Sequence, residues 1–152
     1  MKKTLVVLAA FLLAGVAPAA AGDSLPDPLA ALQSGKKSFE TACNTKCHNL
    51  DIPLSRKLDR AGWEGILGSM SARGAALEPT ERAVIVDYLV VKSTFETKCT
   101  TCHGAQSALA SKRTRQEWEA TVKRMAGKNP PEFSAEEIRL ITAYLTLVVG
   151  SE

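Results

Sequence analysis

Two short stretches of cysteine and histidine constrain this chain of 152 residues more than any other feature. The second stretch, Cys99 to His103, reads Cys-Thr-Thr-Cys-His. The first, Cys43 to His48, reads Cys-Asn-Thr-Lys-Cys-His and has one more residue between its cysteines. Together they contain all four cysteines and both histidines of the sequence. Any chemistry that needs a thiol or an imidazole must therefore take place at these two stretches.

The C-x-x-C-H pattern is typical of covalent haem attachment. Each thiol adds across a vinyl group of the haem, and the adjacent histidine reaches the iron as its proximal ligand. We therefore predict two covalently attached haem c groups. The predicted attachment and proximal-ligand residues are Cys43, Cys47 and His48 in the first stretch, and Cys99, Cys102 and His103 in the second.

Closely spaced cysteines also occur in zinc sites and in redox-active disulfides. A zinc site would gather the four cysteines and leave both histidines unexplained. A thioredoxin-like disulfide belongs to a βαβ context, and the sequence has no strand pattern. Haem attachment is favoured because it accounts for every cysteine and histidine in both stretches.

The N-terminus has the organisation of a secretory signal. Lys2 and Lys3 form the charged region, residues 5–17 the apolar region, and residues 19–21 a small-residue cleavage site. We predict a signal peptide over residues 1–21, cleaved near Ala21, and export to a bacterial periplasm. The apolar region is too short to span a bilayer, so no membrane anchor is predicted.

The charge balance argues against nucleic acid as a partner. The formal net charge of +3 falls to +1 when Lys2 and Lys3 are removed with the signal peptide. A nucleic-acid-binding domain normally carries a strongly basic face. The predicted partners are redox proteins, whose identity the sequence does not indicate.

An internal repeat surrounds the two cysteine–histidine stretches. Residues 39–43 match residues 95–99, and residues 88–89 match residues 144–145. The other matched positions are Arg60 with Arg115, Trp63 with Trp118, and Met70 with Met125. We predict a flexible lead-in over residues 22–34, a first haem module over 35–92 and a second over 93–152. A buried haem would supply the apolar centre that modules this small otherwise lack.

Helix signals predict an all-α fold. Thr114 with Glu117, and Ser134 with Glu137, form capping boxes at the start of two helices. A further helix is predicted from Asp59 towards Gly74. A fourth helix is predicted to begin at Pro79, a favoured first residue, and to run towards Phe95, and no turn residue interrupts residues 86–98. One central helix is therefore expected to serve both modules.

The second axial position of each iron is assigned to a methionine. After the signal peptide the only methionines are Met70 and Met125, and each follows its own haem histidine at the same spacing. Each also follows its module's tryptophan by two helical turns, which puts both on one helix face. The alternative is that both methionines are core residues, their commoner role. On approximately the same face, we expect Trp63 and Trp118 against the porphyrin, and Arg60 and Arg115 towards the propionates.

With these motifs, the chain resembles the small dihaem c-type cytochromes of bacterial periplasms. It is also similar to the dihaem domain of the α subunit of quinohaemoprotein amine dehydrogenases. The resemblance rests on both cysteine–histidine stretches and on the R-x-x-W-x-x-x-x-x-x-M helices, and covers about residues 35–149. It implies electron transfer and cytochrome c-like helix–haem–helix modules. The extra residue in the first stretch departs from the usual pattern, and leaves open whether Cys43 and Cys47 both form thioether bonds.

Three functions remain open from the sequence. An electron carrier, which is not an enzyme, is favoured because His/Met ligation leaves no open iron position. An electron-accepting subunit of a periplasmic dehydrogenase would use the same residues with a different partner. A small dihaem peroxidase or ligand-binding haem protein would need one methionine to be a non-ligand.

Overall fold

The computed structural model describes residues 27–44, 47–128 and 133–151. Within these ranges the chain forms seven α-helices. They are α1 (Pro28–Cys43), α2 (Asp51–Leu54), α3 (Arg60–Ala72), α4 (Pro79–Lys98), α5 (Gln106–Leu109), α6 (Arg115–Ala126) and α7 (Ala135–Val149). The only β-type pairing among the described residues is an isolated bridge between Arg113 and Gly150. The all-α prediction is therefore confirmed, whereas the division into two haem modules stays a prediction.

Helix α1 begins at Pro28, inside the lead-in predicted over residues 22–34, and one residue before Leu29, from which the apolar positions indicate a helix. The Asp27 side chain accepts a hydrogen bond from the backbone N–H of Leu29 at 3.1 Å, and Pro28 occupies the first helical turn. Leu32 and Gly35 are then buried. The prediction of a flexible lead-in is therefore wrong over residues 28–34, because these residues form the first half of a capped and packed helix. Residues 22–26 and the predicted signal peptide lie outside the described residues.

The other predicted helix boundaries are confirmed. At the start of α3, the Asp59 side chain accepts a hydrogen bond from Gly62 N–H at 2.8 Å. Two residues after α3, Gly74 has φ +100°, a left-handed conformation that glycine adopts without steric cost. Both predicted capping boxes are present, Thr114 with Glu117 at α6 and Ser134 with Glu137 at α7.

Helix α4 is continuous from Pro79 to Lys98, as predicted. It crosses the boundary between residues 92 and 93 that separates the two predicted modules. Its buried residues extend from Ile85 to Phe95, so it is covered on much of its length. The short helices α2 and α5, which follow the two cysteine–histidine stretches, were not predicted.

The core lies where α1 and α7 pack against α4. Gly35 brings the backbone of α1 so close to α4 that an added Cβ would be 2.2 Å from the carbonyl oxygen of Val84. A row of aromatic rings continues this contact across the three helices. Its centroid separations are 5.9 Å for Phe39–Tyr88, 6.0 Å for Tyr88–Tyr144 and 5.6 Å for Phe95–Tyr144. These distances are typical of favourable aromatic pairs.

The close crossing at Gly35 gives a stability prediction. We expect Gly35→Ala to lower the free energy of unfolding by about 1–3 kcal/mol, because the methyl group meets backbone that cannot move away independently. The control is Gly65→Ala, where an added Cβ meets nothing within 4 Å. That change should stabilise α3 by up to about 1 kcal/mol through helix propensity. Denaturant unfolding followed by circular dichroism measures both, and equal effects would contradict the close crossing.

An ion pair joins the end of α4 to the start of α7. Lys98 Nζ lies 2.5 Å from Glu137 Oε1, and both side chains are partly buried. The hydrogen bond from Lys98 is the main cause that lowers the pKa of Glu137 below its ordinary value of 4.5. Because the folded-state pKa is the lower one, the stabilisation is present above pH 4.5 and is lost as the pH falls through the folded-state value.

Glu137→Gln separates this ion pair from the capping box, since glutamine also serves as the capping residue. At pH 7 we expect the variant to be less stable than the parent by at most about 1 kcal/mol, the upper range for a partly screened pair. The difference should decrease as the pH falls below 4.5, because the parent carboxyl is then increasingly protonated. Melting temperatures measured from pH 7 to pH 3 test this. A difference that persists at pH 3 would assign the effect to the cap instead.

No helix among the described residues combines the length and apolar character that crossing a membrane requires.

Candidate haem-binding site

The second cysteine–histidine stretch begins where α4 ends. The backbone N–H of Cys99 donates to the carbonyl oxygen of Phe95 at 2.9 Å, and the chain then turns before α5. Cys99 is half-buried, whereas Cys102 and His103 are exposed. His103 Nδ1 is 3.1 Å from the hydroxyl oxygen of Ser107. Since Nδ1 has this local contact, Nε2 is the nitrogen through which His103 can bind a metal.

A cavity of about 620 Å³ lies against this stretch. Its volume is within the range of small-molecule and cofactor sites. Four helices, α4, α5, α6 and α7, and the stretch itself supply the walls. The residues that matter here are Cys99, Cys102 and His103 from the stretch, Trp118, Val122 and Met125 from α6, and Ile141 and Leu145 from α7. The structure therefore brings together the predicted attachment residues, the predicted proximal histidine, the predicted methionine ligand and the predicted tryptophan of the second module.

The polar groups of the cavity wall fit a cofactor that has acidic groups as well as an apolar ring. Trp118 is 1% exposed, and its Nε1 is buried without a hydrogen-bond acceptor among the described residues. Arg113 also lines the cavity, and its Nε is likewise buried without an acceptor among the described residues. A buried donor left unpaired costs about 1–3 kcal/mol. Haem fits this wall, because its ring is apolar and its propionates are acceptors.

The first stretch is described at its two ends, with residues 45–46 outside the described ranges. Cys43 is the last residue of α1 and is half-buried, and Cys47 is exposed. His48 is half-buried, with Nδ1 2.9 Å from the carbonyl oxygen of Asn49. This contact again leaves Nε2 for a metal. Met70 lies half-buried on α3. That His48 and Met70 bind one iron stays a prediction.

The two tryptophans differ in their hydrogen bonding. Trp63, 1% exposed like Trp118, donates from Nε1 to the hydroxyl oxygen of Ser93 at 3.1 Å. The same hydroxyl accepts the backbone N–H of Leu58 at 3.3 Å. The indole N–H of the first half is therefore satisfied by protein, whereas that of the second half is not satisfied by any described residue.

The predicted arginines form ion pairs with protein carboxylates. Arg60 contacts Asp87 at 2.5 Å. Arg115 makes two hydrogen bonds to Asp27, at 2.7 and 2.8 Å, and lines a different cavity of about 440 Å³. Their contact with propionates stays a prediction. Arg113, which lines the larger cavity, belongs to a basic stretch of the second half but was not singled out as a site residue, because the repeat places Leu58 at the equivalent position.

Burial affects the thiols that begin the two stretches. It raises the pKa of Cys99 to about 11, and it also raises the pKa of Cys43. In the cofactor-free chain both groups are therefore protonated at neutral pH, whereas metal binding and nucleophilic attack require the thiolate. Among the described residues, no three or more His, Cys, Asp or Glu side chains come together as a metal-ion site.

The double role of the Ser93 hydroxyl can be tested by mutation. Ser93→Ala leaves Trp63 Nε1 and Leu58 N–H without their acceptor, so we expect a loss of about 1–3 kcal/mol in the free energy of unfolding. Thr97→Ala, one turn later on α4, is the control, because its exposed hydroxyl only donates to the carbonyl oxygen of Ser93. It should change stability by less than about 0.5 kcal/mol. Equal losses in the two variants would contradict the proposed role of Ser93.

Comparison with known proteins identifies a family-level similarity in the second half of the chain. Residues 91–145 match the family model described as cytochrome c oxidase, cbb3-type, subunit III. No curated protein and no solved structure matches the chain. The matched residues include the end of α4, the second cysteine–histidine stretch, α5, α6 and most of α7, which are the elements around the larger cavity. The match supports a c-type cytochrome, a protein that binds haem c covalently and transfers electrons.

Proposed function

We propose that this chain is a periplasmic dihaem c-type cytochrome that carries single electrons between redox proteins. The observation that carries the proposal is the larger cavity, where Cys99, Cys102, His103 and Met125 surround one apolar space. These are the residue types that covalent attachment and His/Met ligation require. The cavity also fits a large ring cofactor in size and polarity.

In this proposal, each group of residues that line the cavity has a distinct role. Cys99 and Cys102 would hold the cofactor covalently, and His103 Nε2 and Met125 Sδ would bind its iron. Trp118 and the apolar residues of α6 and α7 exclude water from the ring. When bound, haem c supplies an iron that accepts and releases one electron. The thioether ligand favours a higher reduction potential than a second histidine would.

The second haem is proposed from the repeat. Cys43, Cys47 and His48 would attach it, with Met70 as its distal ligand and Trp63 against its ring. In support, His48 and His103 have the same local arrangement, with Nδ1 near the carbonyl oxygen of the next residue. The additional residue between Cys43 and Cys47 widens the first loop, so the number of thioether bonds there is a separate question.

The cellular setting is also a proposal. The signal-like N-terminus supports export to the periplasm, where c-type cytochromes meet soluble and membrane-bound redox partners. The matched family model is described as an oxidase subunit, and the sequence also allows a role as the electron-accepting subunit of a dehydrogenase. A peroxidase would need an open iron position. The Met125 side chain in the cavity favours the electron carrier.

The ligand set can be counted in the purified, exported protein. We expect mass spectrometry to show two haems per chain. The ferric spectrum should show the far-red band of methionine ligation at an intensity of two ligands per chain. Met125→Leu should halve the band and Met70→Leu should remove the other half, because leucine keeps the volume but has no sulfur. Both variants keep their cysteines and histidines, so the haem content serves as the control.

Each contrary result rejects a defined part of the proposal. One haem per chain would reject the dihaem assignment. An unchanged band in Met125→Leu would reject methionine ligation in the second half, while covalent attachment would still hold. A protein without covalent haem would reject the proposed function as a whole.

A further inference from the structure

Lys92 on α4 is a deeply buried cation in the first half of the chain. It is 4% exposed, and a lysine is rarely buried to this extent unless its ammonium has partners. Its Nζ donates to the backbone carbonyl oxygen of Leu54 at 2.6 Å and forms an ion pair with Glu96 at 2.8 Å. Since an ammonium has three donors, one side chain can bond to its own helix and to a distant segment at the same time.

The distant segment is α2, the short helix that follows the first cysteine–histidine stretch and ends at Leu54. Carbonyl groups in the last turn of a helix have no partner within that helix. The carbonyl oxygens of residues 51–53 accept hydrogen bonds from residues 55–56, directly after α2. The carbonyl oxygen of Leu54, by contrast, is held by Lys92 on a different helix.

Hydrogen bonds also connect α2 to His48, the predicted proximal ligand. The carbonyl oxygen of Asn49 is 2.9 Å from His48 Nδ1. The Asn49 side chain is bonded in both directions to Asp51, the first residue of α2, at 2.9 and 3.2 Å. The His48 ring is therefore linked to α2 through contacts between neighbouring residues.

The second half holds its corresponding segment without a buried charge. There, Cα atoms of α5 come within 8 Å of Cα atoms of α7, whereas α2 comes that close to no other helix in the described ranges. The repeat places Val148, which is apolar and half-buried, at the position of Lys92. A long charged side chain therefore spans the distance in the first half that direct packing of two helices covers in the second.

We propose that Lys92 is a positioning residue for the first haem, whose ammonium holds α2 on α4 and thereby fixes the orientation of the His48 ring. The inference rests on the proposed function. Hydrogen bonds from an ammonium are charge-assisted and stronger than those between neutral groups. Glu96 compensates the charge, which would be strongly destabilising if it were buried alone. Lys92 acts through α2, and no contact with the cofactor is assigned to it.

The first part of the test is amide hydrogen exchange in the purified protein with both haems attached. Lys92→Met keeps most of the side-chain length and removes the ammonium. We expect exchange at the amides of Leu54 and Ser55, whose hydrogen bonds close α2, to become about tenfold faster, because α2 loses a bond to a charged group and opens more often. The amides of Leu109 and Ala110 at the end of α5 should keep the parent rate.

The second part is electron paramagnetic resonance of the ferric protein, whose low-spin signals depend on the orientation of the axial ligands of each iron. Met70→Leu identifies the signal of the first haem as the one that it changes. Lys92→Met should shift or broaden that same signal and leave the other signal unchanged, because the His48 ring is no longer held in one orientation. Lys92→Arg, which keeps a charged donor, should restore the parent signal in part.

Lys36→Met is the matched control. Lys36 forms an ion pair of the same i,i+4 type with Glu40 at 2.6 Å, but its side chain is partly exposed and lies on α1. The substitution removes the same charge from the same kind of pair, and it should change neither the exchange of α2 nor either haem signal.

The inference is overturned if Lys92→Met leaves the exchange of α2 at the parent rate. It is also overturned if the exchange becomes faster while the first haem's signal stays as in the parent, because Lys92 would then stabilise α2 without orienting His48. Equal changes in both haem signals, or the same effects in Lys36→Met, would overturn it as well. If Lys92→Met does not fold, Lys92→Gln, which keeps a neutral donor, is measured against the same criteria.

Haem content separates this inference from the proposed function. A parent protein without covalent haem would reject the proposed function, and the positioning role with it. A parent protein with two haems, in which Lys92→Met matches the parent in both measurements, would reject only the positioning role.

Discussion

Helix α4 is held between α1 and α7 by a row of four aromatic rings, and the position of the second cysteine–histidine stretch depends on this contact. Phe39 packs on Tyr88, Tyr88 on Tyr144, and Tyr144 on Phe95. Phe95 in turn accepts, through its carbonyl oxygen, the N–H of Cys99. Packing at the centre of the core therefore fixes the position of Cys99, the first predicted attachment thiol of the second stretch. Burial raises the pKa of Tyr88 to about 12 and raises that of Tyr144 as well, so the centre of this row stays neutral at physiological pH.

The long helices could be predicted because their start signals are local. A carboxylate or hydroxyl at the N-cap and a glutamate three residues later act within one turn, so Thr114, Ser134 and Asp59 marked helices correctly. The lead-in predicted over residues 22–34 extends too far, because proline suits both a loop and the first turn of a helix, and Pro28 begins α1. Helices α2 and α5 were missed for a different reason. Four residues are too few to show a hydrophobic period.

The residues of the candidate site also differ in whether the sequence alone could predict them. Its cysteines, histidines and Met125 could be predicted because each has a counterpart in the other half, and the spacing from histidine to methionine is the same in both. Arg113 could not, because its counterpart is Leu58 and its burial is a tertiary effect. Arg113 also contacts residues after α7, since its carbonyl oxygen accepts a hydrogen bond from the backbone N–H of Ser151 at 3.0 Å. Such a contact joins residues far apart in sequence, and no local pattern predicts it.

The two halves differ in the acceptor of their buried tryptophan because α4 belongs to both halves. In the first half this helix is the last element, and Ser93 on it satisfies the Trp63 N–H. The equivalent last helix of the second half is α7, where the position that corresponds to Ser93 in the repeat is Val149, which has no hydroxyl. Trp118 Nε1 therefore has no acceptor in the part of the chain that the structure describes. Folding of the second half should consequently depend on what fills its cavity, because the buried indole N–H of Trp118 lacks an acceptor among the described residues.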